Sequence, residues 1–140
     1  MASRLAGLLR EANRAMWWLP VLGLLIGLIL GAALSLTIPA EYSRYTAMAI
    51  LAALDSVLGA VRAELDGEFD NRIFLTGFFA NIILAGGLTY LGDRLGVELY
   101  MAAIVAFGVR MFDNLAIIRR QLLKRLGSTK ATGEAESTGS

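Results

Sequence analysis

The sequence predicts an all-α membrane protein, a bundle of four short transmembrane helices running up-down-up-down. Three observations predict it. The apolar fraction is 56% and the mean hydropathy +0.61, above the roughly 45–50% apolar usage of soluble domains. The apolar residues gather into four runs, at 17–38, 46–61, 73–91 and 99–118, with short polar connections between them. The charges collect at the borders of these runs and at both chain ends, so their placement says more than the net charge of +1. A chain of 140 residues is expected to form one domain. Its parts read as an N-terminal extension (1–15), a four-helix membrane domain (16–126) and an unstructured tail (127–140).

In residues 1–15, Leu5, Leu8, Leu9 and Ala12 recur at helical spacing among Arg4, Arg10, Glu11 and Arg14. That pattern fits a short amphipathic helix on a membrane surface, or equally a frayed leader. The first apolar run, WWLPVLGLLIGLILGAALSLTI, has 22 uncharged residues. As a helix it would measure about 33 Å, enough for a hydrocarbon core of about 30 Å. Trp17 and Trp18 suit the headgroup interface, Pro20 falls in the first turn where its missing N–H is harmless, and Pro39 ends the run. The run is too long for a cleaved signal peptide and more apolar runs follow it, so it reads as a retained anchor.

The other three runs carry polar residues. Asp55 lies in the second, Asn81 in the third, and Arg110, Asp113 and Asn114 in the fourth. A charged residue at mid-helix costs roughly 2.5–3.5 kcal/mol on the insertion scale, so the second and fourth runs are marginal alone. Short connections at 40–45 and 92–98 force antiparallel neighbours. The middle connection, 62–72, is the most polar and is expected to turn at Gly67. Its Glu64, Asp66, Glu68 and Asp70 lack the spacing of a calcium loop and read as a solvated turn rather than a divalent-cation site. Basic residues concentrate in both terminal flanks (Arg4, Arg10 and Arg14; Arg119, Arg120, Lys124, Arg125 and Lys130) and in the middle loop (Arg62, Arg72). The positive-inside rule therefore puts the N- and C-termini and the middle loop in the cytoplasm. The flank after the fourth run would attract anionic lipid at about 1 kcal/mol per basic residue.

Two patterns are candidates for function. Gly23, Gly27, Gly31 and Ser35 recur every four residues on one face of the first run. In lipid, apolar side chains gain little by leaving tails for each other, so association depends on close contact that small residues permit. The stripe serves either a homo-oligomer or partner interface or, as the sequence favours, packing inside the chain against Ala49, Ala53 and Ala60. The second pattern is a polar layer. Counted from the outer ends of their runs, Asp55, Arg110 and Asn81 lie nine, eleven and ten residues in, roughly 14, 17 and 15 Å deep. Neutralising one another would offset much of the cost of burying each in lipid. Asp113 is placed to give Arg110 a second carboxylate at i+3. On the fourth run Ala103, Ala106, Arg110, Asp113 and Asn114 are expected to face inward, with Ile104, Phe107 and Ile118 largely outward. The layer reads as structural, with a proton or ion relay as the alternative.

The chain has no cysteine and no histidine. Disulfides, iron–sulfur clusters and thiolate zinc sites are thereby excluded, and the commonest general base and metal ligand are missing. No nucleophile–base or metal-ligand constellation appears, so no catalytic residue, metal or cofactor is expected and the chain reads as a non-enzyme. Nucleic-acid binding is not expected either, because membrane topology already accounts for the basic residues.

The stretches WLPVLGLLIGLILG, IPAEYSRY, LAALDSVLGAVRA, LTGFFANIILA and GDRLGVELYMAAIVAFGVRMFDNLAIIRR resemble the bacterial small basic protein family. These are uncharacterised small integral membrane proteins of Gram-positive lineages, and the likeness covers residues 18–120. Members typically begin near Met16, so residues 1–15 look like an extension, and the near-neutral net charge departs from the family's name. The resemblance implies a multi-pass protein of the bacterial cell membrane. Because genes of that family often lie beside cell-division and wall-synthesis genes, it also implies envelope or division membrane proteins as partners, beside the bilayer itself. It carries over no activity or catalytic residue. The function expected is assembly or interaction, with a small transporter or channel built on Asp55, Asn81 and Arg110 as the alternative.

Overall fold

In the computed structural model every regular element among the described residues is a helix: α1 (Ala2–Arg14), α2 (Trp18–Ala33), α3 (Ala40–Leu65), α4 (Asn71–Leu95) and α5 (Tyr100–Ser137). It describes the backbone of residues 1–14, 16–34 and 37–137, and their side chains except at 10, 13, 14 and 129–137. Ser35 and the side chains of Arg10, Arg14 and Lys130 therefore lie outside the described residues.

Among the described residues three helices are long and apolar enough to cross a membrane: Ala40–Leu65, Asn71–Leu95 and Tyr100–Ser128. α3 and α4 outrun their apolar runs at both ends, and α5 outruns its own at the C-terminal end. Residues 40–45, expected as a loop, form the first turns of α3, where Ser43 Oγ donates to the Ala40 carbonyl at 2.8 Å and Thr46 Oγ1 to that of Tyr42 at 3.1 Å. Polar residues end a hydropathic run without ending the helix, because their backbone groups make the same helical hydrogen bonds whatever their side chains meet. Conversely, α2 is shorter than its run, 16 residues against the 22 expected. Residues 127–137, expected to lack structure, continue α5. Low apolar content argues against a packed core, but extending a formed helix through Lys130, Ala131, Glu134 and Ala135 needs none.

The turns are tight. After α3, Gly67 takes a left-handed φ of 74°, and the Glu68 N–H bonds the Ala63 carbonyl at 2.8 Å. The Asp70 carboxylate then caps α4, accepting from the Arg72 and Ile73 N–H groups at 2.7 and 3.2 Å. Between α4 and α5, Gly96 takes φ 67° and the Val97 N–H returns to the Gly92 carbonyl at 3.0 Å. A Cβ on the buried Gly92 would lie 2.5 Å from the Val97 carbonyl oxygen, so only glycine fits there.

α3 is the central helix. Bonds linking residue 44 to 93 and 55 to 81 show that α4 runs antiparallel to it; those linking 55 to 110 and 62 to 114 show that α5 runs parallel. Met48 and Ala52 of α3, Ala85 of α4, and Ala103 and Phe107 of α5 form the apolar core, toward the N-terminal half of α3. This corrects the expected rotation of α5. Ala103, Phe107, Asn114 and Ile118 are buried, whereas Ala106 and Asp113 are exposed. The Phe107 ring fills the space left by small neighbours at Ala52, Ala85 and Ala103, a packing gain that outward placement in lipid would forfeit.

Candidate functional site

The polar layer forms around Asp55. The α3 stripe Met48, Ala52, Asp55 packs inward at helical spacing, which carries Asp55 to zero exposure. Its Oδ2 accepts a hydrogen bond from Asn81 Nδ2 of α4 at 3.1 Å and pairs with Arg110 Nη2 of α5 at 3.2 Å. The same Asn81 amide donates to Ser56 Oγ at 3.3 Å, while that hydroxyl donates to the Ala52 carbonyl at 3.0 Å. Three helices thus converge on one carboxylate oxygen. The other, Oδ1, is buried and has no hydrogen-bond partner among the described residues.

Asp55, Asn81 and Arg110 are therefore brought together, and Asp113 and Asn114 are not part of that cluster. Among the described residues no ion pair joins Asp113 to Arg110, and Asp113 is exposed. Asn114, 7% exposed, accepts from Arg62 Nη1 at 3.1 Å. Arg62 also reaches Asp66 at 3.6 Å, Gln121 bonds Asp66, and Arg125 donates to the Leu65 carbonyl at 3.0 Å. These contacts make a second polar layer nearer the C-terminal end of α3. Sequence reasoning missed Ser56 and Arg62; the signal for Arg62 was its place seven residues after Asp55, two turns down the same face.

At the opposite end of α3, Arg44 pairs with Asp93 at 2.5 Å, Tyr45 donates to the same carboxylate at 2.9 Å, and the Arg44 guanidinium lies 4.8 Å from the centre of the Tyr100 ring. This clasp ties α3, α4 and α5 together beyond the apolar core. On the other side of Asp55 the packing is open. A cavity of about 220 Å³ runs between α3 and α4 from Asp55, Asn81 and Arg110 to Glu68, Phe69 and Asp70 of the turn. A second, of about 410 Å³, lies between α3 and α5 and shares Gly59, Ala63, Glu68 and Arg110 with the first. The small residues Gly59, Ala63 and Gly77 leave this space.

The glycine stripe is placed differently from the packing that the sequence favours. No described residue of α2 is buried, and a Cβ on Gly23, Gly27 or Gly31 would meet nothing within 4 Å. Gly23 borders a loose space shared with Ala53 and Val57 of α3; close contact along the stripe within the chain is absent among the described residues.

The family described as a protein of unknown function (DUF1290) matches residues 38–123. The chain is 56% identical over 108 residues to the "Small basic protein" of Bacillus subtilis (strain 168), covering 77% of this chain and 89% of that one. It is 38% identical over 104 residues to uncharacterized proteins of Mycobacterium bovis and Mycobacterium tuberculosis, covering 73% of this chain and 86% of each relative. No solved structure matches. With a family match over most of the chain, carried by the segments that build the Asp55 layer, the chain belongs to the bacterial small basic proteins of unknown function.

Proposed function

We propose that this chain is a non-enzymatic, multi-pass protein of the bacterial cell membrane that acts by assembling with itself or with other membrane proteins of the envelope or division machinery. In this reading α2 is a fourth crossing, the helices run up-down-up-down, and both termini and the Gly67 turn are cytoplasmic. The observation that carries it is α2. It is apolar throughout, none of its described residues is buried, and its glycine face is open. At about 24 Å it is shorter than a typical core of about 30 Å, a mismatch met by the apolar residues after Ala33 and by local thinning of the bilayer. An open face of small residues in lipid is suited to close helix–helix contact.

The test uses the absence of native cysteine. Gly27→Cys in native membranes is expected to form crosslinked dimers or adducts with another membrane protein, and Gly27→Leu to abolish assembly. A monomer unaffected by either change contradicts the reading. A second reading, a small proton or ion transporter, is favoured by the cavity that ends at Asp55. A proteoliposome flux equal in the wild type and Asp55→Asn would dismiss it.

A further inference from the structure

We infer that the space between α3 and α4 is a blind, water-filled vestibule open at the Gly67 turn, and that Asp55 at its end is a proton-binding site exchanging with that side of the membrane alone. The inference deepens the second reading above and rests on the membrane placement proposed there.

The first observation is Arg110. Its side chain is 55% exposed although it pairs with an inward-facing carboxylate, and both lie on helices long and apolar enough to cross a membrane. A guanidinium at that depth is stable where its exposed part meets water rather than lipid tails. Arg110 borders both cavities, and both extend to Glu68 at the turn. From Asp55 to the end of α3 is ten residues, about 15 Å of helix, and the intervening α3 residues Gly59 and Ala63 are small. Beyond Asp55 the path stops at the apolar core of Met48, Ala52, Ala85, Ala103 and Phe107, with the Arg44–Asp93 clasp outside it. Among the described residues, the way in for water is therefore from the turn.

The second observation is the asymmetry of the carboxylate. Oδ2 holds both Asn81 and Arg110, and Oδ1, buried, holds no partner among the described residues. A proton added to Oδ1 leaves both Oδ2 contacts in place, since the carbonyl oxygen of a carboxylic acid still accepts. A metal cation would need several oxygens at once and would sit against the fixed positive charge of Arg110. The charged groups facing Asp55 are Arg110 from α5 and, at the mouth, Glu68 and Asp70; α4 presents the uncharged Asn81.

Single-cysteine variants of the full chain in phospholipid liposomes test the access path. A charged, water-soluble thiol reagent is expected to label Glu68→Cys, Ala63→Cys and Gly59→Cys from one side, and to leave Ala52→Cys, on the far side of Asp55, unlabelled. Gly77→Leu, where a Cβ meets nothing within 4 Å, is expected to slow labelling at Gly59→Cys at least tenfold by filling the vestibule. Infrared spectroscopy of the wild type should show a carboxylic acid band that titrates with pH, shifts in heavy water and is missing in Asp55→Asn. An unlabelled Gly59→Cys beside a labelled Glu68→Cys overturns the vestibule. Labelling of Ala52→Cys overturns its blind end. A band absent at every pH, or one set by sodium or potassium at fixed pH, overturns the proton site. Labelling of Glu68→Cys from the outer side alone instead overturns the membrane placement.

Discussion

Replacing Arg110 with glutamine removes the charged partner of a carboxylate that has no exposure of its own. At 3.2 Å the pair would be worth about 5 kcal/mol with an effective dielectric constant of about 20. That figure needs a discount, because the Arg110 side chain is 55% exposed, and exposed pairs are worth about 1 kcal/mol or less whereas breaking a buried one costs about 3–5. The expectation for Arg110→Gln is a loss of about 1–3 kcal/mol, with Asp55→Asn losing a similar amount. The double variant should lose at least about 1 kcal/mol less than the sum, because each single change strands the remaining charge without its partner and the second change removes that stranded charge. The exchange Asp55→Arg with Arg110→Asp should restore part of the stability. Reversible unfolding in detergent micelles, followed by circular dichroism, measures all four. Losses that add to within about 0.5 kcal/mol would refute a direct pair.

Three further outcomes follow from the same geometry. Asn81→Ala strips a donor from both Asp55 and Ser56 and should cost about 1–2 kcal/mol in the same unfolding assay. Gly92→Ala places a methyl group against the Val97 carbonyl oxygen and the Leu99 N–H, so it should lose about 1–3 kcal/mol although alanine is the better helix former by about 1; a neutral or stabilising effect would contradict the tight turn. Arg44→Gln breaks an exposed clasp and should lose no more than about 1 kcal/mol, with the difference from wild type shrinking as salt is raised.

Depth along each helix was legible in the sequence, and rotation about its axis was not. Counting residues from the run ends put Asp55, Asn81 and Arg110 at one level, and they meet. The same counting cannot orient α5, because in lipid an apolar residue is acceptable on either face and periodicity loses its meaning. Phe107 turns inward because small neighbours on α3 and α4 leave room for it, a tertiary fact absent from the α5 sequence itself. Asn114 was placed in the wrong layer for a related reason: its partner Arg62 lies in a stretch read as loop, since polarity ends the run there. The helix ends were misjudged at 40–45 by the same equation of polarity with irregular backbone. The glycine stripe was visible in sequence, but whether the chain itself covers it depends on how α2 sits against α3, and the open space at Gly27 and Gly31 answers that for a single copy.

The proposed topology requires α2 to cross the bilayer, and sided labelling of single cysteines in intact cells and in inverted membrane vesicles measures that directly. Ser3→Cys, before α2, and Glu68→Cys, in the turn between α3 and α4, should react only from the cytoplasmic face. Glu41→Cys at the start of α3 and Glu98→Cys before α5 should react only from the opposite face. Labelling of Ser3→Cys and Glu41→Cys from the same side would mean that α2 does not cross, and would contradict the account.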